Sequence, residues 1–228
     1  ELNPAYEEGT IYGFNFFLDR DPSWIGFTEE STQMPDCLTG SSERYSAAEY
    51  VDGTLYATTQ TELHIMKVGE FAPTKVANLQ VNNVAQVTYG TTILDMAYDY
   101  STHTMYALGY TTLNMYFSYV YLYKIDLNTG TVNQVGTKQI TGTRTSLSVS
   151  TLACDLEGNL YCVERGNAFA ELYKIELVDG EPVCTCIGNT GFGSANTNLS
   201  SMAFDHNTET LYWANCYNYG MSDSPENY

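Results

Sequence analysis

The chain has 228 residues, with nine Lys and Arg against 27 Asp and Glu, for a formal charge of −18. That balance argues against nucleic acid or an anionic membrane surface as a partner, because both are held by cationic patches. No apolar run approaches the roughly 18 residues of a membrane span, so membrane insertion is not expected.

Taken in chain order, the predicted elements repeat. "NPAYEEGTIYG" near the start reads as a short apolar strand, a turn and a second strand, followed by the irregular "FNFFLDRDPSWIGFTEES". The same hairpin returns as "AAEYVDGTLYA", with a third strand "LHIMKVG" and a fourth "PTKVANL". It returns as "DMAYDYSTHTMYA", "YLYKIDLNTG" and "TVNQVGT", then as "TLACDLEGNLYC", "ELYKIELVDG" and "PVCTCIGNT", and last as "SMAFDHNTETLYW". Apolar residues alternate with polar ones, and Asp, Gly, Asn and Thr fill the turns, which is the pattern of β-hairpins. Aligned on Tyr12, Tyr56, Tyr106, Tyr161 and Tyr212, the units recur every 44 to 55 residues. Four antiparallel strands at that period predict an all-β chain, a β-propeller of about five repeats. The blades fall at about 1–44, 45–92, 93–148, 149–198 and 199–228 within a single domain, 1–228. The fifth has a hairpin but no third or fourth strand before "MSDSPENY". The expectation is therefore a fragment of a longer chain, or a separate segment or second chain that supplies strands to the incomplete blade. The start at Glu-Leu-Asn-Pro is consistent with a secretion signal that is not part of the sequence.

"MAYDYSTHTMYALGY", "LYKIDLNTGTVNQVGT" and "MAFDHNTETLYWA" resemble the repeats of YncE-like and DUF4394-like β-propellers, over roughly residues 45–215. The resemblance implies a propeller domain of a large surface protein from a gut-dwelling Firmicute, often set beside immunoglobulin-like or carbohydrate-binding modules. It implies nothing definite about activity, because propellers host enzymes, binders and structural parts alike.

The six cysteines, Cys37, Cys154, Cys162, Cys184, Cys186 and Cys216, contain no Cys-x-x-Cys pair and so no zinc or thioredoxin-type site. Their even number in an acidic, secreted chain predicts at least one disulfide, with buried thiols as the alternative. Cys154 and Cys162 flank the turn "DLEGN" and are expected to face each other. Asp99, Asp155 and Asp205 read as turn residues, and one Asp per repeat does not make a calcium site. His103 and His206 fall in the same turns and read as solvated. No nucleophile–histidine constellation or facing carboxylate pair can be read from the spacing. Neither metal, cofactor nor catalytic residue is expected.

The aromatics outside the repeat are the candidate site. In a propeller, the loops joining second to third strands and blade to blade share one face. Phe16, Phe17, Trp24, Tyr110, Tyr116, Phe117, Phe169, Phe192, Trp213, Tyr217 and Tyr219 lie in these loops or at their edges, among Asn and Thr. Flat rings with neutral hydrogen-bonding neighbours suit a sugar, and suit a protein surface nearly as well. The sequence thus reads as a secreted or cell-surface, non-catalytic carbohydrate-binding module. A protein-binding or adhesion scaffold is the alternative, and a glycan-active hydrolase or lyase the third.

Overall fold

A computed structural model of the chain describes residues 11–15, 23–27, 37–40, 45–67, 73–83, 90–114, 117–165, 169–192 and 199–216. Among them there is no α-helix, only strands, turns and one 3-10 turn at Ser146–Ser148. The chain is all-β, as its alternation and its wealth of Tyr, Thr and Val dictate. Two compact units emerge, Glu1–Leu79 and Gln80–Tyr228, where the repeat alone predicts one continuous array.

The first unit holds two sheets. Strands β1 (Ile11–Asn15), β2 (Ser23–Phe27) and β3 (Cys37–Gly40) form an antiparallel sheet in chain order. Strands β4 (Ala47–Val51), β5 (Thr54–Thr58), β6 (Glu62–Met66) and β7 (Thr74–Asn78) form a four-stranded meander. The β4–β5 turn is the two-residue Asp52-Gly53, both at positive φ, the geometry that matches the twist of a tight hairpin. Tyr45, Leu55, Ala57 and Met66 form its buried cluster.

The second unit holds three sheets. The first consists of β9 (Thr91–Asp99), β10 (Thr104–Thr112), β11 (Ser118–Ile125) and β12 (Thr131–Gln134) as an antiparallel meander. The short β8 (Gln80–Asn82) joins it in parallel along the outer edge of β12. The second is the meander β13 (Ala153–Cys154), β14 (Leu160–Arg165), β15 (Ala170–Val178) and β16 (Glu181–Asn189). The third is the pair β17 (Leu199–Asp205) and β18 (Thr210–Cys216). The inner strand β13 packs against both β9 and β17, so the three sheets follow one another in chain order.

The recurring Leu-Tyr pair explains this packing. Side chains alternate across a strand, so the two residues face opposite neighbours. In the β13–β16 sheet, Leu160 enters the core shared with Tyr106, Leu108, Val120 and Leu122 of the preceding sheet. Tyr161 faces the other way and packs on the cluster of Ala153, Val163, Ala170 and Met202, together with Phe204 and Trp213 of the following pair. Tyr106 is buried between sheets, whereas Tyr212 on the last pair is 39% exposed. The repeated tyrosine is therefore core only where a following sheet covers it.

Two features inside the second unit are conspicuous. A bulge where Leu108 and Gly109 face Asp95 and Ile93 leaves Leu94 unpaired and turns Asp95 inward. Its carboxylate accepts the backbone N–H of Met96 at 3.0 Å, of Leu152 at 2.9 Å, and of Met202, so one side chain ties all three sheets. Burial pushes its pKa up from 3.8 to about 8, against the pull of those donors. In the same sheet, the hydroxyl of the fully buried Tyr123 bonds Thr111 at 2.6 Å and Asn83 at 2.5 Å. Gly109 makes room for that ring, since a Cβ there would overlap Tyr123 and press on Thr91.

Candidate functional site

The second unit has two ends. The lower end carries the β9–β10, β13–β14 and β17–β18 turns, and the upper end carries the β10–β11 and β14–β15 connections and the links between sheets.

At the lower end, the repeated aspartates do what their turns require. Asp99 accepts Ser101 N–H at 2.8 Å and the Ser101 and Thr102 hydroxyls. Asp155 accepts Glu157 N–H, Asn159 N–H and the Tyr161 hydroxyl. Asp205 accepts Asn207 N–H and the Thr208 hydroxyl. Burial alone would raise the pKa of Asp99 and Asp155, but the combined hydrogen bonds outweigh it and hold both below 3.8. At Asp205 the bond from Thr208 leads, and the direction is the same. Their oxygens are consumed by the turns, and among the described residues no cluster of three His, Cys, Asp or Glu could hold a metal. His103 is exposed as expected. His206 is not simply solvated, because its ring lies edge-on to Tyr100 at 4.9 Å and tilted against Phe204 at 5.4 Å.

No disulfide forms among Cys154, Cys162, Cys184 and Cys186. Cys154, Cys162 and Cys184 are buried thiols and Cys186 is an exposed one. Cys154 pairs with Leu160, so Cys162 lies beyond its reach across the turn. The Cys162 and Cys184 sulfurs approach to 3.8 Å, but their strands β14 and β16 are separated by β15. Two strand spacings place their backbones about 9–10 Å apart, beyond the roughly 7 Å that a bridge tolerates. The bond with Cys184, then burial, raises the Cys162 thiol far above its usual pKa, which leaves it protonated and inert.

Of the aromatic candidates, those described in the second unit lie towards its upper end. Phe17, Tyr116, Tyr217 and Tyr219, with Phe16, fall outside the described residues. Trp24 sits on β2 of the first unit, opposite Phe14 and Thr39. Tyr110 lies two residues before the end of β10, and Phe117, 54% exposed, stacks in parallel on Tyr119 at 6.5 Å. Phe192 and Trp213 come together. Phe192 is 64% exposed and meets the Trp213 ring edge-on at 6.2 Å. Its carbonyl accepts the N–H of Ala170, the residue after Phe169, at 2.9 Å. The Trp213 indole N–H is buried without an acceptor. The result is a short, partly exposed aromatic edge at the junction of β15, β16 and β18.

On the opposite face of the same strands lies a polar group that the spacing did not suggest. Glu164 and Glu171 are direct partners across β14 and β15. The Glu171 carboxylate accepts the Tyr173 hydroxyl at 2.9 Å and Arg144 at 2.8 Å. Glu164 is fully buried, and one of its oxygens accepts Thr145 N–H at 3.1 Å. Its other oxygen, and the nearby Thr143 hydroxyl, have no partner. Burial first, and then bonding to Glu164 and Glu171, holds the Tyr173 hydroxyl far above its ordinary pKa. The available signal was Glu164 itself. In "LYCVER" it follows Leu160 and Cys162 at every second position, a charged residue in the inward register.

No family model matches the chain, and no curated protein does. Among solved structures it is similar to a protein from Lactobacillus plantarum, at 12% identity and a TM-score of 0.44, over 94% of this chain and 62% of that one. It is similar to the major Malassezia sympodialis allergen Mala s 1, at 10% identity and 0.43, over 86% and 61%. A third similarity is to the N-terminal domain of Nup159, at 10% and 0.37, over 89% and 72%. The chain thus spans about three fifths of the length of the first two.

Proposed function

We propose that this chain is part of a β-propeller and serves as a secreted or cell-surface binding module without catalysis, taking a glycan on its upper end. The sheet pattern supports the architecture: two complete meanders and a hairpin follow one another in the second unit, with β13 between β9 and β17. The observation that carries the ligand is the aromatic edge. Phe192, just past β16, exposes most of its surface while packed edge-on to Trp213, and Phe169, just before β15, is about half exposed. An aromatic ring in that setting offers a sugar a flat apolar platform. The test is a glycan array followed by calorimetry on the best hit, repeated with Phe192→Ala. Binding that the substitution weakens about tenfold supports the reading, and an empty array overturns it.

A protein partner is the second reading, and β18 favours it. Strands β10 and β14 are each paired on both edges, whereas β18 is paired among the described residues with β17 alone. Such an edge templates an extended segment, and "LYKIDLNTG" is the pattern that fills this place in the neighbouring sheets. A peptide of that sequence that protects the amides of residues 212–216 from exchange supports strand addition. Unchanged exchange refutes it.

A further inference from the structure

We propose that the exposed aromatics of the second unit form a row along its upper end that takes an extended, neutral, equatorially linked glycan chain of the cellulose, mannan or xylan type; this rests on the glycan reading above and names its class of sugar. The repeat itself places the rings. The last ladder pair between second and third strands is Thr112 with Ser118 in the first sheet of this unit, and Arg165 with Ala170 in the next. Phe117 and Phe169 come immediately before Ser118 and Ala170, so they hold the same position in consecutive sheets, and each is about half exposed. Side chains alternate along a strand. Val120 and Leu122 of β11 share one core with Tyr173 and Ile175 of β15, so alternation turns Phe117 away from that interval and Phe169 toward it. Trp213, which Phe192 meets edge-on, packs in the following interval against Ala153, Val163, Ala170 and Met202. Three aromatic stations therefore follow one another: before the first sheet, between the first and second, and between the second and third.

Spacing and charge select the ligand. Packed sheets lie about 10 Å apart, so the row extends on the order of 20 Å. One or two sugars do not reach along it, whereas a short linear chain does. A chain with equatorial links is a flat ribbon that presents ring faces to successive aromatic platforms, while axial links coil it away from the row. The polar groups beside the rings are neutral. Asn114 Oδ1 accepts Phe117 N–H at 3.1 Å, the Ser118 hydroxyl donates to that of Thr112 at 3.2 Å, and the Thr190 hydroxyl accepts Phe192 N–H at 3.3 Å. Such groups suit sugar hydroxyls, and a net charge of −18 repels an acidic polysaccharide.

The test measures calorimetric affinities for cello-, manno- and xylo-oligosaccharides, comparing dimers with hexamers. In at least one series the hexamer should bind about tenfold tighter than the dimer, because it engages several stations at once. Phe117→Ala should remove most of that gain, weakening the hexamer about tenfold while leaving a dimer seated at Phe192 unaffected. Tyr50→Ala, which removes an exposed aromatic of the first unit, should change neither. Equal loss in the two variants would mean general apolar adhesion, and overturns the row. A hexamer no tighter than the dimer, or one that Phe117→Ala leaves unchanged, overturns the row while the glycan reading stands. Binding of some other glycan on the array but of none of the three series does the same. Binding of no glycan overturns both.

Discussion

Asp95 makes stability depend on pH in an unusual direction. Its pKa is 3.8 unfolded and about 8 folded, because burial disfavours the charged form. Between those values the folded state binds the proton more tightly than the unfolded state, so stability is greatest in acid and falls as the pH rises. Each pKa unit corresponds to about 1.4 kcal/mol, so the full displacement amounts to at most about 6 kcal/mol. The variant Asp95→Asn removes the titration. Its amide also turns an N–H group toward one of the backbone donors of Met96, Leu152 and Met202, which costs a constant amount at every pH. Urea unfolding of both proteins from pH ~4.5 to ~8.5 separates the two effects, since the offset leaves the slope untouched. The advantage of wild type over the variant should shrink steadily with pH. General repulsion in so acidic a chain acts on both proteins and cancels in the difference. A difference that stays flat would refute the reasoning, and would mean that the three N–H donors hold Asp95 ionised despite its burial.

Further outcomes follow from the same geometry. Gly109→Ala should cost about 1–3 kcal/mol, because its methyl overlaps a Tyr123 ring that its hydroxyl bonds hold in place. Thermal unfolding should register this as a drop of several degrees. Asp99, Asp155 and Asp205, with pKa values depressed below 3.8, stabilise the fold above that pH and lose the contribution as pH falls through their folded values. Asp155→Ala should therefore flatten the acid limb of a stability profile. In native protein treated with iodoacetamide, peptide mapping should find Cys186 modified and Cys154, Cys162 and Cys184 protected until urea is added. A disulfide peptide joining Cys162 to Cys184 would contradict the strand spacing.

The repeat made the sheets legible because one local rule is written several times. Asp-x-x-Gly or Asp-x-x-Thr marks a turn whose carboxylate satisfies the following amides, and Leu-Tyr marks a strand buried on both faces. Predicted third and fourth strands such as "ELYKIELVDG" and "PVCTCIGNT" match β15 and β16 closely. What depends on distant partners was not legible. The parallel pairing of β8 with β12 joins segments about fifty residues apart, and its three residues carry no pattern of their own. Cys162 and Cys184 do not form the expected kind of bridge, because an even cysteine count says nothing about an intervening strand. Of the aromatic candidates, Phe192 and Trp213 meet although 21 residues and a strand pairing separate them, which spacing alone does not encode. Glu164 was visible only as a charge in the wrong register.

The parallel pairing also bears on how such a protein survives at high concentration. The outer strand of a sheet invites a second molecule to add to it. On the first sheet of the second unit that invitation is withdrawn, because β8 runs along three residues of β12. On the next sheet the incoming chain offers a single bridge, Thr141 to Val183. The rest of β16, "CTCIGN", has no charged residue and exposes Ile187 and Cys186. Long-range repulsion from eighteen net negative charges keeps such edges apart in dilute salt, and that protection weakens as salt shortens the screening length. Colloidal failure should therefore begin at β16, in concentrated saline, and a lysine at position 187 should delay it.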